Sequence, residues 1–197
     1  MAKARRAIAT TSSEAITISD KQWQGRAVNA VANLLQRKLL VPRIYLRGKS
    51  IKIFFNPKYE NEEYPFASVV AVDRAGAGDI HGVRVLPRLP HILLEPGGMG
   101  ASTLSYFILP IIKGEGDAFH FKYLAVESEL VDLVSKQNLF AEDGIGRVGV
   151  IAIAERLSSP PEARIVIPAE RFQLAPDKVK RFDAFQKKTP ADIEIRD

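Results

Sequence analysis

Apolar residues recur at three- and four-residue intervals from Trp23 through Ala27, Ala30, Val31, Leu34, Leu35 and Leu39, which predicts an amphipathic helix over about residues 20–40. Ser19, with Gln22 three positions on, has the spacing of a capping box at its start. The opposite face is polar and weakly basic, with Gln22, Arg26, Asn29, Asn33, Gln36 and Arg37. Gly25, inside this span, costs a helix about 1 kcal/mol relative to alanine.

Pro42 stops the helical period, and an alternating one replaces it. Ile44 and Leu46 alternate with Arg43, Tyr45 and Arg47; Gly48-Lys49 can turn the chain; Ile51, Ile53 and Phe55 then alternate with Ser50, Lys52 and Phe54. The expectation is a hairpin whose exposed face carries Arg43, Tyr45, Arg47, Lys52 and Phe54. Strands are further expected at Phe66–Val72, Ile80–Leu86, His91–Glu95, Phe119–Val126 and Ala163–Pro168. Val148–Ala154, apolar throughout, reads as a central strand covered on both faces. Ala101–Ile112 suits helix or buried strand equally, and Ser158–Glu162, with two prolines, reads as a loop. Helices are expected at Ser128–Gln137 and Asp177–Lys187.

This order implies an α/β (mixed α+β) fold: a single domain over residues 17–188, with one mixed sheet flanked by helices. Residues 1–16 are basic and small without apolar periodicity, so they read as a mobile basic arm, and 189–197 as a polar tail.

Composition is that of a globular chain rather than a disordered one, with 46% hydrophobic and 26% charged residues. No apolar run is long enough to span a membrane and the basic start lacks the apolar segment of a secretory signal, so an intracellular, cytoplasmic protein is expected. The absence of cysteine excludes disulfides, thiolate metal sites and a cysteine nucleophile. His81, His91 and His120 show no helical zinc spacing, and the serines lie in no nucleophile-elbow context.

Charge changes the picture most. Residues 1–59 hold twelve Lys and Arg against Glu14 and Asp20, a formal +10, whereas residues 60–197 hold sixteen against twenty-one, a formal −5. From Lys21 to Tyr59 there is no carboxylate among 39 positions and nine cations. Such a field rewards a polyanion: nucleic-acid phosphates of DNA or RNA, anionic lipid, or an acidic surface on another protein or on the acidic remainder of this chain. Arg37, Lys38, Arg43, Tyr45, Arg47, Lys49, Lys52 and Lys58 form the candidate nucleic-acid surface, the cations following phosphate and the rings stacking on bases. A basic arm on such a domain also fits a particle or nucleoprotein subunit that self-associates as a homo-oligomer.

One constellation points to chemistry. Asp79 follows the glycine-rich turn at 73–79 and begins a strand; Glu95 ends the apolar segment His91–Glu95, sixteen residues later. Helix, strand, turn-Asp and strand-Glu together resemble the core of the PD-(D/E)xK nuclease superfamily over residues 20–100. The resemblance implies a Mg²⁺-dependent nuclease with Asp79 and Glu95 as catalytic metal ligands. Gly97 stands where that family has its lysine, and Lys113 or Lys122 would have to take over its role. The loop Pro96–Thr103, with Gly97, Gly98 and Gly100, faintly resembles phosphate-binding glycine loops without matching their spacing.

Overall fold

The computed structural model describes residues 20–40, 50–59, 62–63, 67–73, 78–88, 119–137, 139, 146–156 and 159–196. Helix α1 covers Asp20–Leu40. Strands follow at Ser50–Phe55 (β1), Lys58–Tyr59 (β2), Glu62–Glu63 (β3), Val69–Asp73 (β4), Asp79–Val85 (β5) and Phe121–Glu127 (β6). A 3₁₀ turn, Ser128–Leu130, runs into the short helix α2, Val131–Ser135; then come β7 (Gly149–Arg156), β8 (Ser159–Ile167), α3 (Pro176–Lys188) and β9 (Ile193–Arg196). Seven strands form one sheet in the order β8-β7-β6-β5-β4-β1-β9, curled as a half-barrel, and β2 and β3 make a separate ribbon. The fold is thus a mixed α+β single domain.

Strands β5, β6 and β7 run parallel in the middle of the sheet, and all other neighbours are antiparallel. Parallel strands need cover on both faces, and they have it. On one face α1 lays down Trp23, Ala27, Val31 and Leu35 against Ile51, Ile53, Val69, Val83, Tyr123 and Ile151. On the other, Phe182 and Phe185 of α3 cover Phe54, Val70 and Val72, and the α2 region covers Leu124, Val126 and Val150. Val150, Ile151, Ala152 and Ile153 are accordingly all buried, the central strand that the apolar run predicted. Gly82 in β5 is required by packing, because a Cβ there would lie 2.3 Å from the Phe119 ring.

The two edges of β1 are taken by β4 (Ile51↔Asp73 to Phe55↔Val69) and β9 (Ser50↔Arg196 to Ile53↔Ile193), and Ile44–Arg47, its expected hairpin partner, lies outside the described residues. A strand has only two edges, and the partners here come from farther along the chain. Phe54, expected on the exposed face, is 1% exposed, its ring 5.2 Å from that of Phe185, because α3 covers that face. The tail expected at 189–197 contributes β9, tied down by Asp192, whose Oδ2 accepts the Phe55 N–H at 2.6 Å.

Ser158–Glu162, expected as a loop, lies largely within β8, since Pro160 and Pro161 belong to that strand. Proline is tolerated there because β8 is an edge strand that needs no outward N–H. The arm at 1–16 and the segments His91–Glu95 and Ala101–Ile112 lie outside the described residues.

Candidate nucleic-acid interface

The apolar stripe of α1 faces the sheet, which leaves its remaining side chains to water. Lys21, Gln24, Asn29, Asn33, Arg37 and Lys38 are exposed, and Asp20 is the helix's one carboxylate. The cations divide by what surrounds them. Arg26 turns inward, donating from NH1 to Glu155 Oε1 at 3.0 Å and from NH2 to the Ser159 carbonyl at 3.1 Å. Lys52 pairs across the sheet with Glu194 at 3.4 Å. Lys38 donates to the Tyr123 hydroxyl at 3.3 Å, over that ring, and Arg37 only to the Asn33 carbonyl at 3.4 Å. Lys21 has no ion pair among the described residues.

Of the surface expected from sequence, α1 therefore presents Arg37 outward and an exposed Lys38 whose ammonium also reaches the Tyr123 hydroxyl, while the acidic part of the chain neutralises Lys52. Lys58 sits on β2 in register with Glu63, and Arg43, Tyr45, Arg47 and Lys49 lie outside the described residues.

Concave surface flanks α1 on both sides. A cleft of about 630 Å³ opens where its first two turns overhang the ends of β1, β4 and β5, with Lys21, Gln24, Gly25 and Asn29 facing Phe55, Pro57 and Arg84. A groove of about 500 Å³ separates its last turns from β8 and holds Arg37, Lys38 and Arg164.

At the carboxyl ends of the parallel strands lies a charge network. Arg88, three residues past β5, donates from Nε to Glu127 Oε1 at 2.7 Å and from NH2 to Glu155 Oε2 at 2.8 Å, with its Cζ 5.5 Å from the centre of the Trp23 ring. Glu155 is shared with Arg26. Burial by itself pulls the Arg88 guanidinium down; the hydrogen bonds and charges of Glu127 and Glu155 outweigh it and leave it above its ordinary value.

At the other end, Asp79 opens β5 after the left-handed Gly78, as the turn predicted, and lies directly opposite Asp73 of β4. Its Oδ1 accepts from Arg171 Nε at 3.3 Å and NH2 at 2.9 Å. His120 Nδ1 stands 4.0 Å from the same oxygen but accepts the Ile80 N–H at 3.0 Å, so it has no proton to give Asp79. Desolvation, and then the positive charge of Arg171, lower the His120 pKa against the opposing pull of Asp79.

Glu95, the other carboxylate of the nuclease-like pattern, lies outside the described residues. Arg171 already pairs with Asp79 through Oδ1. No group of three or more acidic or histidine side chains among the described residues is placed to hold a metal ion. No described helix is long and apolar enough to cross a membrane.

Comparison with protein-family models gives no match, and neither does comparison with the curated proteins. The residues that sequence reasoning missed are Arg84, Arg88 and Arg171. Each is a cation in an apolar or mixed stretch, and only the tertiary fold brings Arg84 to the cleft that Lys21 lines, Arg88 to Glu155 and Arg171 to Asp79.

Proposed function

We propose that this protein binds nucleic acid through the outward face of α1. The observation that carries the reading is that this face presents Lys21, Arg37 and Lys38 together with the carboxamides of Gln24, Asn29 and Asn33, and no carboxylate beyond Asp20. Ammonium, guanidinium and amide groups all donate to phosphate oxygens, and on α1 itself only Asp20 opposes a polyanion, although Glu162 of β8 lines the groove beside Arg37 and Lys38. Across the groove β8 adds Arg164, with Glu162 two positions before it. The reading calls for sequence-independent affinity for the backbone and commits to no chemistry on it.

Binding of a generic oligonucleotide, measured at low and at moderate salt, is the test. Affinity falls steeply with salt, and the double variant Arg37→Gln, Lys38→Gln flattens the log–log slope by about one for each phosphate no longer neutralised. No binding at low salt, or an unchanged slope in the variant, overturns the reading.

A further inference from the structure

The cleft at the start of α1 combines features that neither packing nor backbone geometry explains. Lys21 and Arg84, from elements far apart in the chain, both line it, and neither has an ion pair among the described residues. Two cations without an ion pair among the described residues, lining one concavity, repel each other, a cost that an anion between them removes.

Gly25 is the second feature. It lies within α1, where glycine costs about 1 kcal/mol relative to alanine. No left-handed backbone requires it, and a Cβ built on it meets nothing within 4 Å. Neither strain nor crowding accounts for a glycine here; an unobstructed cleft does, because Gly25 forms part of its wall. Asn56, also lining the cleft, adopts φ 41°, the left-handed region that asparagine enters more readily than other non-glycine residues, and so turns the chain between Phe55 and Pro57.

The chemistry of the wall narrows the occupant. Lys21 and Arg84 call for an anion, Phe55 and Pro57 offer an apolar surface to a flat ring, and Gln24 and Asn29 offer both donors and acceptors to a polar ring edge. About 630 Å³ falls within the range of small-molecule sites and is far more than phosphate alone needs. We propose that this cleft binds a nucleoside monophosphate unit, its phosphate between Lys21 and Arg84 and its base against Phe55 and Pro57. The choice of ligand rests on the nucleic-acid reading above. Two sources share this chemistry, a free nucleotide and one unit of a single strand with its base turned out of any stack.

Titration calorimetry with a nucleoside 5′-monophosphate, the parent nucleoside and inorganic phosphate tests the cleft. The monophosphate saturates one site, and the nucleoside and phosphate each bind at least about tenfold more weakly, as removal of one charge-assisted hydrogen bond or one ring face implies. Arg84→Gln and Lys21→Gln each weaken the monophosphate by about tenfold. Gly25→Leu, which fills open space, abolishes binding while thermal unfolding stays at or above that of the parent.

Inorganic phosphate binding as tightly as the monophosphate, or no saturable binding of the monophosphate at millimolar concentration, overturns the proposal. Oligonucleotide binding that persists in that case leaves the α1 reading intact. Conversely, monophosphate binding without oligonucleotide binding keeps the cleft and removes the α1 reading. If Gly25→Leu also weakens a single-stranded oligonucleotide, the source is a strand; if it leaves the oligonucleotide untouched and blocks only the monophosphate, the source is the free nucleotide.

Discussion

The imidazole of His120 accepts the backbone N–H of Ile80 through Nδ1 at 3.0 Å, from a site 8% exposed. This bond exists only while Nδ1 is unprotonated, so the folded protein holds the ring neutral, in line with its lowered pKa. Below the ordinary histidine value of about 6.5 the unfolded chain binds a proton that the folded chain resists. The contribution of His120 to stability is therefore complete above that pH and is lost as pH falls through the folded pKa.

Urea unfolding at neutral and mildly acidic pH is the measurement. His120→Asn, which keeps an acceptor near the place of Nδ1, narrows the stability difference between the two. Replacing Arg171 by Met removes a charge that lowers this pKa and leaves Asp79 to raise it, so the His120 titration followed by NMR moves upward. A titration that stays put in that variant contradicts the assignment.

Arg88 joins Glu127 and Glu155 by charged hydrogen bonds of 2.7 and 2.8 Å and lies over Trp23. Its side chain is 33% exposed, which places the network between a surface pair and a buried one. Arg88→Met is expected to lower unfolding stability by about 1–3 kcal/mol. Arg88→Lys restores little of it, because one ammonium cannot reproduce a planar fork serving two carboxylates. Full recovery with lysine would show that charge alone matters there.

Gly25→Ala is expected to stabilise the protein by about 1 kcal/mol, through helix propensity without steric cost. In a domain of this size that raises the unfolding temperature by about 2–4 °C. A lower melting temperature would show that the added methyl meets an obstacle.

Gly82→Ala acts in the opposite direction. Its Cβ would overlap the Phe119 ring, so a loss of about 1–3 kcal/mol is expected. The double variant Gly82→Ala, Phe119→Leu gives the check: if the clash is the cause, the two losses sum to more than the pair costs together.

How much of this was legible in the sequence varied with the range of the interaction. Helix α1 follows from apolar residues that repeat within single turns, and β7 from an apolar run that only a central strand can bury. The partners of β1 could not be read, because alternation at Ile51 and Ile53 gives a strand and a face but no neighbour. Strand β9 is short, and its alternation of Ile193 and Ile195 with Glu194 is lost in a charged stretch. Pro160 and Pro161 imitate a loop unless one knows that β8 lies at an edge. On the candidate interface, the carboxylate-free run located Arg37 and Lys38, but counting charges could not show that Lys52 meets Glu194. Nor could it place Arg84 near Lys21, since sheet topology alone brings β5 under the start of α1.

The bond between Phe55 and Asp192 spans 137 positions of chain. During synthesis, residues 193–196 emerge long after β1, so the edge of β1 that β9 will occupy waits with its amides and carbonyls unmet. Such an edge is sticky toward other nascent chains, and closing so wide a separation is slow. Fast production of this protein should therefore favour aggregation through β1, and slower translation or lower temperature should relieve it.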